Sequence, residues 1–352
     1  MIARTRRRFH LQAYAALRSR RYYWGVLRRL FVTILAAGLM TGAAQAATKP
    51  PKKTIKPTTG VVLVNTNLAL QGATAAGTGI VLTKTGEVLT NNHVIAGATT
   101  ITVTVPATKK TYTASVIGYD VTDDIALIKL QSATNLATAT FGTSAKLKIG
   151  QATRAVGNAE GGGKLVQTTG KVTALNRTIQ VQDDNGDVRS LANLIETSAQ
   201  LVPGDSGGPL LNASNQVIGM DAAGSSGSGF NTSTPGYAIA IDKVRTIGKQ
   251  IEAQTASAVV HIGATAFIGV NIEDTPGGLA VDSTVAGTPA EQAGLQQGDV
   301  LTSLDGSPIS TSDDLRAALF QHHPGDTVAL GYTDVNGATQ TASITLASGP
   351  PQ

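Results

Sequence analysis

The chain has 352 residues and no cysteine. Disulfides, thiol nucleophiles and cysteine-based metal sites are therefore excluded. Export is not excluded; the fold must simply rely on its core. Aromatic residues make up 4% of the chain and charged residues 14%. Glycine, by contrast, is abundant at 39 residues, and short β-branched runs recur. That balance predicts many short strands and tight turns rather than long helices. The length suffices for two or more domains.

The formal net charge of +5 misleads. Residues 1–46 hold nine arginines and no acid, which leaves 19 Lys and Arg against 23 Asp and Glu, a net −4. The basic balance belongs to the leader, so nucleic acid is not an expected partner. The leader has an Arg-rich head, an apolar run from Leu30 to Met40 and an Ala-x-Ala end at Ala44-Gln45-Ala46. This pattern reads as a secretory signal cut near Ala46, which places the mature chain outside the cytoplasm, secreted or in the cell envelope. A retained N-terminal membrane anchor is the alternative, because Leu30 to Ala47 is marginal in length for a span. Arg28-Arg29 also fits a twin-arginine export signal, although Leu27 stands where Ser or Thr is usual.

Residues 47–59 form a polar, Pro- and Lys-rich linker. Residues 60–254 read strand, turn, strand, as in Val61-Val62-Leu63-Val64, Ile101-Thr102-Val103-Thr104-Val105 and Ile125-Ala126-Leu127-Ile128. Such density favours antiparallel sandwiches or barrels. One helix is expected over 243–254, with Val244, Ile247 and Ile251 on one face. Residues 255–262 read as a joint and 263–348 as a second module with two short helices, one opened by Pro289 and one capped by Thr311 or Ser312.

The chemistry gathers around Gly204-Asp205-Ser206-Gly207-Gly208-Pro209-Leu210. Glycines let the backbone turn tightly and expose its N–H groups beside a single serine. A serine hydroxyl needs a neighbouring base before it becomes a useful nucleophile. Of the five histidines, only His93 falls in the same β-rich segment, at the end of Leu89-Thr90-Asn91-Asn92. Asp124, at the mouth of the apolar run 125–130, is the candidate acid that orients the imidazole. Asp120 and Asp123 are its rivals, or simply turn residues. The N–H groups of Gly204 and Ser206 are the candidate oxyanion donors. Gly161-Gly162-Gly163 and 225–229 read as ordinary turns. A Gly-x-Ser-x-Gly stretch also marks the nucleophile elbow of α/β-hydrolases, but there the acid and histidine follow the serine. Here the order is His93, Asp124, Ser206, the order of chymotrypsin-like proteases.

Thr90-Asn91-Asn92-His93-Val94, Asp124-Ile125-Ala126-Leu127-Ile128 and Pro203-Gly204-Asp205-Ser206-Gly207-Gly208-Pro209-Leu210 resemble the three signature blocks of the HtrA (DegP-like) serine proteases. Among them the likeness is greatest to the actinobacterial secreted PepA-type members. Asp205 departs from the Asn that many of these proteins carry. The resemblance implies a mainly β chain: a chymotrypsin-like double β-barrel of two six-stranded barrels, then a PDZ domain, a small β-barrel with two helices. It assigns the triad to His93, Asp124 and Ser206, needs no cofactor or metal, and implies unfolded or misfolded proteins as substrates and a homotrimer. Gln200, Leu201, Met220 and Ala222 should line the substrate pocket. Gln200 stands where trypsin-like enzymes that select Lys or Arg carry an acid, which points to small or aliphatic residues instead. Phe267-Ile268-Gly269-Val270 resembles the loop that captures a peptide C-terminus, with the peptide adding as a strand. His322 and His323 read as surface residues at a helix end, since no carboxylate cluster accompanies them. A peptide-binding, chaperone-like protein with a resting protease domain is the alternative function.

Overall fold

The computed structural model describes residues 56–182, 188–224 and 235–352. The leader 1–46, most of the linker and the Gly-rich stretch 225–229 lie outside the described residues. Strands β1 (Val61–Leu68), β2 (Ala73–Val81), β3 (Glu87–Thr90), β4 (Thr100–Val105), β5 (Lys110–Asp120) and β6 (Ile125–Leu130) come first, with one helical turn, α1 (Asn92–Ile95), between β3 and β4. They pair in the order β5-β4-β1-β2-β3-β6, and β5 also pairs with β6, so the sheet closes on itself. Next come β7 (Ala152–Gly157), β8 (Val166–Gln182), β9 (Val188–Thr197), β10 (Pro209–Leu211), β11 (Val217–Gly224) and β12 (Gly236–Ala240). These form a second closed barrel, in the order β10-β11-β12-β9-β8-β7. The expected mainly β fold with two six-stranded barrels is what the chain adopts.

The continuous apolar runs of the first barrel have a physical cause. Successive side chains of a strand point to opposite faces. Val62, Val64, Val88 and Ile128 fill the first barrel, whereas Val61, Leu89 and Leu127 enter a separate core shared with Leu191, Leu194, Met220 and Ile239 of the second. Strands buried on both faces lose the polar alternation. Helix α2 (Ile241–Glu252) closes that shared core with Val244, Ile247 and Ile251, the face read from the sequence, although it starts and ends two residues earlier.

Residues 255–262 do not behave as a joint throughout. β13 (Val260–Ile262) adds to the edge of β5, and all three of its residues are buried. A short, small-residue stretch carried too little alternation to reveal a three-residue strand. The second module follows with β14 (Thr265–Phe267), β15 (Val270–Thr275), β16 (Gly278–Thr284), α3 (Pro289–Gln292), β17 (Val300–Leu304), β18 (Ser307–Pro308), α4 (Ser312–Leu319), β19 (Thr327–Thr333), β20 (Thr339–Thr345) and β21 (Ala347–Gly349). Its main sheet runs β15-β16-β17-β19-β20, and β14 pairs separately with β21. Thr311 caps α4 in a reciprocal box with Asp314, as its sequence position suggested. Among the described residues no helix is long and apolar enough to cross a membrane.

Candidate active site

Asp124 stands in the left-handed region, with φ of 56°, directly before β6. That turn aims its buried carboxylate back at α1. Oδ1 accepts the main-chain N–H of His93 at 2.9 Å, and Oδ2 lies 2.8 Å from His93 Nδ1. The side chain of Asn91 donates to the Asp124 main-chain oxygen at 2.8 Å. Arg189 of β9 reaches Asp124 Oδ1 at 3.4 Å and the Val121 carbonyl at 3.1 Å. Between the rivals the geometry decides. Asp120 accepts the N–H of Asp123, and Asp123 pairs with Lys243, so neither holds the imidazole.

Ser206 sits half-buried on the loop between β9 and β10. Its Oγ donates to the Ala222 carbonyl at 3.4 Å, and among the described residues it makes no hydrogen bond to His93. The N–H groups of Gly204 and Ser206 donate to no protein group among the described residues. Gly204 has φ of +94°, and an added Cβ would lie 2.2 Å from the Asn158 carbonyl oxygen, so only glycine fits.

Thr78, which no sequence motif marks, holds this loop. Its hydroxyl donates to Gly204 O at 2.7 Å and accepts from Asn158 N at 2.8 Å. Its main-chain N–H donates to Ser206 O at 2.8 Å, and its carbonyl accepts from Thr90 Oγ1 at 2.8 Å. A threonine in a strand looks like any other in sequence. Only the meeting of β2 with a loop more than a hundred residues away gives it a role.

The expected pocket residues divide. Gln200 is exposed and Leu201 half-buried, its side chain against Gly236. Met220 gives its side chain to the core shared by the barrels, and Ala222 is buried there too. Asp221, between them, is fully buried, and among the described residues neither of its carboxylate oxygens has a hydrogen-bond partner. Burial pushes its pKa well above the ordinary carboxylate range, and the charge of Asp205 pushes it further. Burial likewise pushes Asp205 up to about 6, although Val202 N–H donates to it at 3.0 Å.

In the second module Gly269 has φ of +88°, and an added Cβ would lie 2.3 Å from the Thr288 side chain. The N–H groups of Ile268 and Gly269 donate to no protein group among the described residues. Phe267 lies in β14, and Val270 begins β15, which forms an edge of the main sheet. His322 is not free of carboxylates, as its sequence context suggested: Asp305 and Asp326 approach its ring nitrogens to 3.8 and 3.7 Å. Asp326 lies four residues on, within reach of a local pattern, whereas Asp305 comes from a separate turn. Among the described residues no group of three or more such side chains is arranged to hold a metal.

Residues 77–220 match the family described as a trypsin-like peptidase domain, and residues 266–346 match the PDZ domain. The chain is 34% identical to serine protease PepD of Mycobacterium tuberculosis, over 86% of this chain and 67% of the relative. It is 34% identical to the serine protease Do-like HtrA of Lactococcus lactis, over 73% of this chain and 66% of the relative. It is 33% identical to the periplasmic serine endoprotease DegP of Salmonella typhimurium, over 69% of this chain and 50% of the relative. The match thus spans about half to two thirds of these relatives' length. A solved HtrA-type protease, AlgW with a tripeptide, is similar at 25% identity and a TM-score of 0.50, over 84% of this chain and 95% of that one.

Two predictions arise here. Thr78→Val leaves Gly204 O and Asn158 N without their shared partner, and turnover should drop by about 10–100-fold, because small misplacements at a reacting centre cost that much. Thr78→Ser keeps the hydroxyl and should stay within a few-fold of the parent; steady-state kinetics on a peptide ester compares them. The second prediction concerns pH. Both raised carboxyls hold protons in the folded state that the unfolded chain releases. Their contribution is fully present below about pH 4; that of Asp205 is lost as pH rises through about 6, and that of Asp221, whose carboxyl is held well above the ordinary carboxylate range, falls away as pH climbs above that range. Asp221→Asn should therefore raise the melting temperature by about 3–6 °C at pH 8 and leave it nearly unchanged at pH 4. Differential scanning calorimetry at the two pH values measures this.

Proposed function

The chain belongs to the HtrA family of serine proteases, and we propose that it is a secreted or envelope endopeptidase that cleaves unfolded or damaged proteins by acyl transfer. The pairing of His93 with buried Asp124 at 2.8 Å carries this reading, beside a glycine-lined Ser206 whose loop keeps two N–H groups unengaged. With Nδ1–H donating to Asp124, His93 Nε2 carries the lone pair that takes the Ser206 proton. Ser206 Oγ then bonds to the scissile carbonyl carbon, and the N–H groups of Gly204 and Ser206 receive the oxygen's negative charge. The imidazolium passes its proton to the leaving amine as the C–N bond breaks. Water, deprotonated by the same nitrogen, releases the acyl group and returns the proton to Ser206. Asp124 stays ionised and stabilises the imidazolium throughout. The step requires rotation of Ser206 away from Ala222, a rearrangement common as such sites fill with substrate.

Gln200 offers no charge to a basic side chain, which supports cleavage after small or aliphatic residues such as Val and Ala. The second module supports peptide capture. The free N–H groups of Ile268 and Gly269 suit a terminal carboxylate, and the open edge of β15 suits an added strand. A homotrimer completes the proposal. The periplasmic DegP relative and the leader's pattern support an extracytoplasmic location.

A second reading, a peptide-binding protein with a resting protease domain, is favoured by one observation: Ser206 Oγ faces Ala222 O rather than His93. A fluorophosphonate probe separates the two, since a competent site is labelled without added peptide and a resting one is not. Incubation of the Ala47-onward protein with casein should give fragments that Ser206→Ala does not give. Equal cleavage by both proteins would defeat the proposal. A mixed peptide library should show cuts after Val or Ala, and dominant cuts after Arg or Lys would overturn the pocket assignment.

A further inference from the structure

Helix α1 is a single turn of four residues. So short a helix is unstable by itself, because its nucleus fixes several dihedrals for one hydrogen bond. Its N-cap, Asn91, makes no side-chain cap bond. Yet the turn carries His93, so something outside it must hold it. Val94 and Ile95 anchor one side in the first barrel's core, and Asp124 anchors the N-terminal end. The remaining anchors come from the far end of the sequence. Past β21, Pro351 O accepts the N–H of Gly97 at 2.8 Å, and the main-chain oxygen of Gln352 accepts from Asn92 Nδ2 at 2.8 Å. These two contacts bracket His93, one just before it and one just after the turn. Pro351 is buried there. The hydroxyl of buried Tyr119 on β5 lies 3.1 Å from Thr265 Oγ1 at the start of the second module.

The path of the strap is itself fixed. β21 pairs with β14, so residues 350–352 leave the second module from a paired strand. Beside them His261 is buried, with its ring nitrogens 3.3 Å from Phe320 O and 3.1 Å from Ala264 O. Its ring lies near those of Tyr119, Phe320 and His323. The second module is thus seated on the first barrel where the strap crosses.

We propose that residues 350–352 are a positioning strap for His93: their main-chain oxygens hold the turn that carries the general base. The strap touches no reacting atom and acts through α1. The inference rests on the protease reading above for its kinetic consequence, but the state of the His93 ring can be read without catalysis.

The test compares the mature protein with a version ended at Gly349, with Asn92→Ala and with Gln352→Ala. Turnover should drop about tenfold on removal of 350–352 and several-fold in Asn92→Ala, with KM within about twofold, as expected for misplacement of a catalytic group rather than of substrate. Gln352→Ala keeps its main-chain oxygen and should match the parent. In histidine-labelled protein, the low-field Nδ1–H resonance of His93 should broaden or vanish on removal of the strap and persist in Gln352→Ala. Unchanged turnover together with an unchanged His93 resonance in the shortened protein overturns the proposal. Should the shortened protein fail to fold, Asn92→Ala decides: parental turnover and resonance there overturn it. If the intact protein shows no proteolysis at all, the protease reading fails instead, and the resonance alone decides whether the strap positions His93.

Discussion

One buried carboxylate organises this molecule. A charge taken out of water is tolerated only when its oxygens are met by donors. Asp124 is buried and has three: the N–H and ring of His93 and the guanidinium of Arg189. The first two come from the first barrel and the third from β9 of the second. The carboxylate that holds the His93 ring is therefore balanced across the seam between the barrels, and its geometry depends on both being folded. The left-handed turn at Asp124 belongs to the same constraint, since it is what aims the carboxylate at α1.

The serine loop obeys a similar rule with main-chain groups. Gly204 and Ser206 must keep their N–H groups free while the loop stays fixed, so it has to be held by its carbonyls instead. Thr78 does this from β2, taking Gly204 O on its hydroxyl and Ser206 O on its main chain. Close by, the rule is broken. Asp221 is buried with no partner for either oxygen among the described residues and sits near a second raised carboxyl, Asp205. Such a pair favours the protonated state and weakens the fold as pH rises. A destabilised spot next to reacting groups is a common trade between stability and activity.

Legibility along the chain followed the range of the interactions. Helix α2 and the cap of α4 were readable because their signals are local: apolar residues spaced by three and four, and a Thr three residues before an Asp. The candidate triad could be named because three distinct blocks occur in a fixed order, and the structure brings two of its members, His93 and Asp124, to 2.8 Å. The edge strand β13 escaped because three residues cannot show a period, and burial of His261 escaped with it. Met220 was read as a pocket residue from its neighbourhood, yet strand alternation turns its side chain into the shared core. Asp305 meets His322 only because two turns fold to the same place, whereas Asp326 is a neighbour four residues on.

By itself, then, the sequence determined a cysteine-free, strand-built chain, and it named Ser206, His93 and Asp124 as the candidate nucleophile, base and acid beside a glycine-rich bend. All of these reside in residue type and short spacing. Tertiary structure alone decided which hydroxyl clamps that bend, which guanidinium balances Asp124, where the unpartnered carboxyl lies, and that residues 350–352 reach the turn bearing His93. The clamp, the guanidinium and the strap each depend on groups 65 to 260 residues apart meeting at hydrogen-bond distance. No local pattern encodes such a meeting; it exists only once the two barrels and the second module have closed around their cores.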